Sequence, residues 1–213
     1  RARWRWSLSV LIPLLPVLAI ALAEATGRAA WFWMPIGFIY LFIPLLDWRV
    51  GEDRNNPPEA VVAALESEPF YRWLTYAAVP VHLGVFVGGF WYAMTVAEGP
   101  GQVLPLVLSL GFVGALGINL GHELVHKRGE PDRTLALLAL SISGYGHFRI
   151  EHNLGHRAQV ATPGDSASAR MGESVYRFAL REVPGAMRRS WRLEAARLRR
   201  EGKAPLSPHN EIL

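Results

Sequence analysis

Four stretches without a formal charge dominate the chain: 6–23, 29–46, 73–97 and 99–121. Each is about as long as the 17–25 residues that carry a helix across a bilayer. A water-soluble fold would have to bury four wholly apolar helices within 213 residues. The pattern therefore predicts an all-α integral membrane protein with four transmembrane helices, followed by a helical region at the membrane surface. Prolines 13, 16, 35, 44, 80 and 105 fall inside these stretches, which membrane helices tolerate as kinks. Most of the 8 tryptophans sit near the span ends, where aromatic belts form.

Charge sets the expected orientation. Residues 1–121 hold 7 of the 22 Lys and Arg, and residues 122–213 hold the other 15. The connection 98–101 has none, whereas the N-terminus and the 47–72 connection have three each. Basic residues favour the inner side. The N-terminus and everything after residue 121 are thus expected in the cytoplasm, with the protein multi-pass in the cell inner membrane. A basic segment beside a bilayer points to anionic lipid headgroups. No nucleic-acid recognition module is visible, so nucleic acid is not an expected partner. The segment 134–148, "TLALLALSISGYGHF", is too short to span and reads as re-entrant or interfacial. Residues 186–203 place Trp191, Ala195 and Leu198 at helical spacing among arginines, which predicts a basic amphipathic helix lying on the membrane. Gly84/Gly88 and Gly117/Gly121 have the spacing for close helix contact.

The fourth span ends in "HELVHK", 122–127. Histidines four apart share one helix face and reach one metal ion. A second pair, His152 and His156, lies in "EHNLGH", 151–156. Without cysteine, any metal here rests on His, Asp or Glu; such a donor set suits zinc, iron, copper or nickel. An H-E-x-x-H helix also describes zinc peptidases, in which Glu123 would be the general base, and that alternative stays open on spacing alone. A non-catalytic membrane protein without a complete metal site is the third reading.

Four stretches together resemble the membrane-bound alkane 1-monooxygenases, the alkane hydroxylases related to membrane fatty-acid desaturases. "HELVHK" matches their first histidine box and "EHNLGH" most of the second. "VATPGDSASARMGES", 160–174, resembles the segment after that box, and "GEDRNNPPE", 51–59, resembles the loop between the second and third spans. The resemblance covers essentially the whole chain as a single alkane-hydroxylase-like domain, with a cytoplasmic metal-binding region over 122–213. It implies terminal hydroxylation of alkanes to 1-alkanols with O₂ at a non-haem di-iron centre, with electrons from rubredoxin. His122, His126, His152 and His156 are the implied iron ligands, and Glu123 and Glu151 are candidates to orient the imidazoles. Lys127, Arg128 and the basic tail are candidates to steer an acidic electron carrier.

Two departures stand out. The family's second box ends in two adjacent histidines, whereas His156 is followed by Arg157, and a guanidinium cannot bind a metal. Ser166 stands where the family has proline. Members of the family also continue past the position of Leu213 with two more spans and further histidine motifs, so the chain is expected to be an N-terminal portion.

Overall fold

The computed structural model describes residues 2–52, 58–66, 68–127 and 129–213. Arg1, Arg54, Arg128 and the 53–57 part of the loop motif lie outside the described residues. Among the described residues there are helices and turns but no strand. The chain divides into two compact units, Arg1–Ser143 and Gly144–Leu213.

The first unit holds the four long helices: α1 (Trp6–Thr26), α2 (Ala29–Val50), α4 (Pro69–Thr95) and α5 (Gly99–Val125). A short α3 (Glu59–Glu66) precedes α4, and α6 (Glu130–Ser141) follows α5. The long helices have 21, 22, 27 and 27 residues, about 32–40 Å at 1.5 Å per residue, enough to cross a hydrocarbon core of about 30 Å. Their outer faces are apolar: Leu41, Trp48, Val87, Trp91 and Met94 are all exposed. A bundle that turns large apolar side chains outward is built for lipid rather than water. At 12 residues, α6 covers only about 18 Å and cannot span.

The helices outrun the uncharged stretches at four ends, at Thr26, Val50, Pro69 and Val125. The third begins at Pro69 because Arg72 does not interrupt it. Arg72 Nε donates to Tyr76 Oη one turn on, at 2.9 Å. Its Nη2 meets Asp132 Oδ2 at 3.1 Å, and Tyr76 Oη donates to Asp132 Oδ1 at 2.7 Å. This network ties α4 to the first turn of α6. The fourth helix continues to Val125, so His122 sits within it and His126 is its C-cap.

Packing between helices uses small residues. An ideal Cβ at Gly121 would lie 2.6 Å from Leu140 Cγ, and one at Gly117 would lie 3.1 Å from the Ala139 carbonyl. The glycine pair of α5 thus lets α6 approach at backbone distance. The α4 pair does not act this way: a Cβ at Gly84 or Gly88 meets nothing within 4 Å, and it is Gly89 that makes room for Leu110. At one end of the bundle Ala23, Phe32, Tyr92, Ala93, Leu106 and Leu110 form a core. There the Tyr92 hydroxyl donates to the Glu24 carboxylate, linking α4 to α1. His82, buried in α4, bonds through Nδ1 to the Ala78 carbonyl of its own helix at 2.8 Å and does not bridge to a neighbour by that nitrogen.

The second unit consists of a helical segment, α7 (148–159), a loop over 160–174, α8 (Val175–Arg200) and a tail. Residues Glu151–His156 of α7 form a π-helical turn, a feature frequent at functional sites. Helix α8 starts eleven residues before the expected 186, because Ser174 supplies an N-cap: its Oγ accepts from the Arg177 amide at 3.4 Å. Ala195 and Leu198 are buried, so they belong to the unit's interior and not to a membrane-facing surface. The tail folds back on this end of α8: the Glu211 amide donates to Glu194 Oε1 at 2.9 Å and Arg197 Nη2 to the His209 carbonyl at 2.9 Å.

Candidate metal centre

In the first unit the two histidines of "HELVH" are brought together by one turn of α5. Their Nε2 atoms lie 3.1 Å apart, with ring centroids 4.8 Å apart and planes at 72°. Two imidazole nitrogens bound to one ion at about 2.1 Å and at a right angle would lie about 3.0 Å apart. The observed separation therefore fits a pair of neighbouring ligands on one metal. Glu123, between them in sequence, faces another way: its Oε1 pairs with Lys127 Nζ at 2.9 Å. A cavity of about 450 Å³ beside His126 is walled by Arg72, Tyr76, Glu123, Lys127 and Asp132. Its charged lining suits water and ions and not an alkane.

In the second unit the π-turn presents His152 and His156 with ring centroids 5.6 Å apart and planes at 30°. The His152 ring also stacks on Phe148, at 5.0 Å and 22°. His156 Nδ1 lies 2.9 Å from Asp165 Oδ2. Burial alone would raise the Asp165 carboxyl. Hydrogen bonds from Ser168 Oγ, the Ala167 amide, His156 and Arg189 outweigh it and hold the group at about 2. An ionised Asp165 accepts only, so the proton between the two groups sits on His156 Nδ1. Carboxylate–histidine–metal arrangements fix tautomer and ring orientation in this way.

Asp165 was not among the candidates drawn from the sequence; the carboxylates adjacent to the boxes were. Glu151 is buried next to His152, yet its neighbour is Arg189, whose Nη2 lies 2.8 Å from Oε1 without hydrogen-bond alignment. Burial pushes the Glu151 carboxyl up, and the Arg189 charge opposes the shift. Gly155 leaves room for this carboxylate: an ideal Cβ there would fall 2.6 Å from Glu151 Oε2. The one signal available for Asp165 was the long 160–174 stretch, which metal ligation by histidine does not require.

The structure gives that stretch a purpose. Arg181 of α8 grips it by donating to the Ser166 carbonyl at 2.8 Å, the Ser168 carbonyl at 3.0 Å, and both Glu173 oxygens at 2.9 and 2.7 Å. Arg189, two turns on, donates to Asp165 Oδ1 at 3.0 Å, Ser166 Oγ at 2.6 Å and Gln159 Oε1 at 3.1 Å. Two arginines of one helix thus shape the loop that presents Asp165 to His156. Ala161 adopts φ 63°, a strained left-handed conformation for a residue with a Cβ, and its amide donates to Ser168 Oγ at 2.9 Å. Arg157, which stands where the resemblance expects a second adjacent histidine, is exposed.

Four membrane-length helices joined to histidine pairs on helical turns define a membrane-embedded protein of the histidine-box kind. Residues 100–209 match the fatty acid desaturase family, and the chain belongs to it. Among its relatives, alkane 1-monooxygenase 1 of Alcanivorax borkumensis is 47% identical over all 213 residues, covering 53% of that protein. Alkane 1-monooxygenase of Pseudomonas putida is 46% identical over the same span, again 53% of its length. The hydroxylase component of xylene/toluene monooxygenase of Pseudomonas putida is 29% identical over 154 residues, 70% of this chain and 42% of the relative. The chain spans about half the length of the curated alkane monooxygenases it matches.

Proposed function

We propose that the protein hydroxylates alkanes at the terminal carbon. In this reaction an alkane, O₂, two electrons and two protons give a 1-alkanol and water, and reduced rubredoxin supplies the electrons. The identity to alkane 1-monooxygenases along the entire chain supports this reading, and the converging Nε2 atoms of His122 and His126 carry it at the level of the site. His122, His126, His152 and His156 are the ligands proposed for a non-haem di-iron centre. Bound iron would activate O₂ and deliver one of its oxygen atoms to the substrate carbon. The chain's own contribution is positional. Helix α5 holds His122 and His126 one turn apart, the π-turn presents His152 and His156, and Asp165 keeps the His156 proton on Nδ1. Glu123 and Glu151, offset by Lys127 and Arg189, lie beside the histidines without orienting an imidazole by a hydrogen bond of their own. An apolar substrate reaches such a centre through lipid without crossing water.

The Lys and Arg distribution supports placing the N-terminus and the histidine region on the cytoplasmic side of the inner membrane. Because the chain has no cysteine, single cysteines report this cleanly. One at Glu98 should react with an impermeant thiol reagent on intact cells, and one at Gly202 should not; the reverse pattern would refute the orientation.

Metal analysis and product analysis together test the activity. Membranes carrying the whole protein, given octane, O₂ and reduced rubredoxin, should form 1-octanol and contain two irons per protein. One zinc and no alcohol would instead support a peptidase with Glu123 as base.

A further inference from the structure

The N-terminal half of α8 carries an apolar stripe that nothing in the described residues covers. Tyr176 and Leu180 are 80% and 79% exposed, Val183 and Met187 are 49% and 42% exposed, and Trp191 is half-buried. Their spacings of four, three, four and four place all five on one helix face, over about 22 Å of length. The opposite face packs into the second unit through Arg189, and Ala186 and Ser190 on one flank are buried as well. The stripe continues toward Glu194 and Leu198, but there the tail folds back and both are buried. The uncovered part of the stripe thus ends where the tail folds back.

The charges beside it are ordered. Arg177, Arg188 and Arg192 are exposed and lie about 60–120° around the helix from Leu180, all on one edge of the stripe. No carboxylate pairs with them among the described residues; Arg192 Nε reaches only the Arg188 carbonyl, at 3.4 Å. Across the other edge stand Ala179, Ala186 and Ser190, with no charge. Between Met187 and Trp191 a hollow opens whose walls include Arg188 and Arg192.

We propose that this face of α8 is a docking surface for an anionic lipid bilayer, with Tyr176, Leu180, Val183, Met187 and Trp191 seated among acyl chains and Arg177, Arg188 and Arg192 at the phosphates. An apolar row with cationic side chains along one edge matches the boundary between acyl chains and headgroups, where long arginine stems stay apolar and their tips reach phosphate. The hollow at Met187 and Trp191 takes the end of one acyl chain, with Arg188 and Arg192 among its walls. An acidic protein would match the arginines but leave most of the apolar row without a reason.

The absence of cysteine makes the test direct. Nitroxides are placed on Leu180→Cys, Met187→Cys and, on the opposite face, the exposed Ala196→Cys of the full chain. The protein is reconstituted in vesicles of equimolar phosphatidylcholine and phosphatidylglycerol. Collision with oxygen, which concentrates in lipid, is compared with collision with a water-soluble nickel chelate. Labels at 180 and 187 should favour oxygen severalfold over the label at 196. Replacing Arg177, Arg188 and Arg192 together with Gln, or using phosphatidylcholine alone, should reduce that preference while leaving the label at 196 and the helical circular dichroism unchanged. Equal nickel access at 180, 187 and 196 would overturn the proposal. So would protection of 180 and 187 from both reagents, which would mean a protein covers the stripe. A preference indifferent to both the arginines and the lipid charge would overturn the anionic part.

Discussion

Replacing Asp165 with Asn changes one oxygen to an amide nitrogen at a fully buried position. Asp165 accepts from four groups: His156 Nδ1 at 2.9 Å, Ser168 Oγ at 2.5 Å, the Ala167 amide at 3.1 Å and Arg189 Nη2 at 3.0 Å. With the Asn oxygen kept toward Ala167 and Arg189, the new NH₂ faces His156 and Ser168. The serine hydroxyl can turn and accept. The imidazole can accept only by moving its proton to Nε2, the nitrogen proposed to bind metal. Arg189 retains Glu151 as a counter-charge, so its guanidinium is not left alone. The net change is the loss of about one to two charge-assisted hydrogen bonds, each worth roughly 1.5–3 kcal/mol. Asp165→Asn should therefore destabilise the protein by about 2–4 kcal/mol. It should also lower metal affinity by about 10–100-fold, the usual cost of losing a partner that orients a histidine ligand. Thermal melting followed by circular dichroism reads the first effect. Iron per chain after dialysis against a graded chelator series reads the second. Iron retention equal to that of the unmodified protein would refute the role of Asp165 in setting the His156 tautomer, even if the melting temperature fell.

The Glu173 carboxyl is held at about 2 by hydrogen bonds from Arg181 and the Arg170 amide, against an ordinary value of 4.5. A depressed carboxyl stabilises the fold above its unfolded value and loses that contribution as pH falls toward its folded value. The melting-temperature gap between the unmodified protein and Glu173→Gln should be widest near neutrality, shrink below about pH 4.5 and close near pH 2; a constant gap across that range would show that the carboxylate charge is not what matters. Gly121→Ala drives a Cβ to within 2.6 Å of the buried Leu140 and should destabilise the α5–α6 contact by about 1–3 kcal/mol, read as a lower melting temperature in detergent, whereas Gly84→Ala, which meets nothing, should leave it unchanged. Arg157→His should raise iron per chain in protein made in iron-replete cells, because it exchanges a fixed positive charge for a neutral donor beside the proposed site. Equal iron in the two proteins would place residue 157 outside the ligand shell.

Hydropathy and helical spacing, which are local, were enough to predict the four long helices and the face shared by His122 and His126. A run of uncharged residues as long as a bilayer is thick has few alternatives to a membrane helix, and residues four apart on a helix meet whatever surrounds them. The ends of the helices were less visible, because Arg72 reads as a boundary until Tyr76 and Asp132 are seen to accept its hydrogens. The support of His156 required the tertiary structure. Asp165 lies nine residues from His156, and Arg189 lies a further 24 residues from Asp165. Nothing periodic links them, and only the return of α8 past the loop brings the three together. The same holds for α8 itself. One apolar stripe runs its length in the sequence, yet Leu198 is buried and Leu180 is exposed. Hydrophobicity states that a face avoids water, but which part the protein itself covers depends on where the rest of the chain folds back.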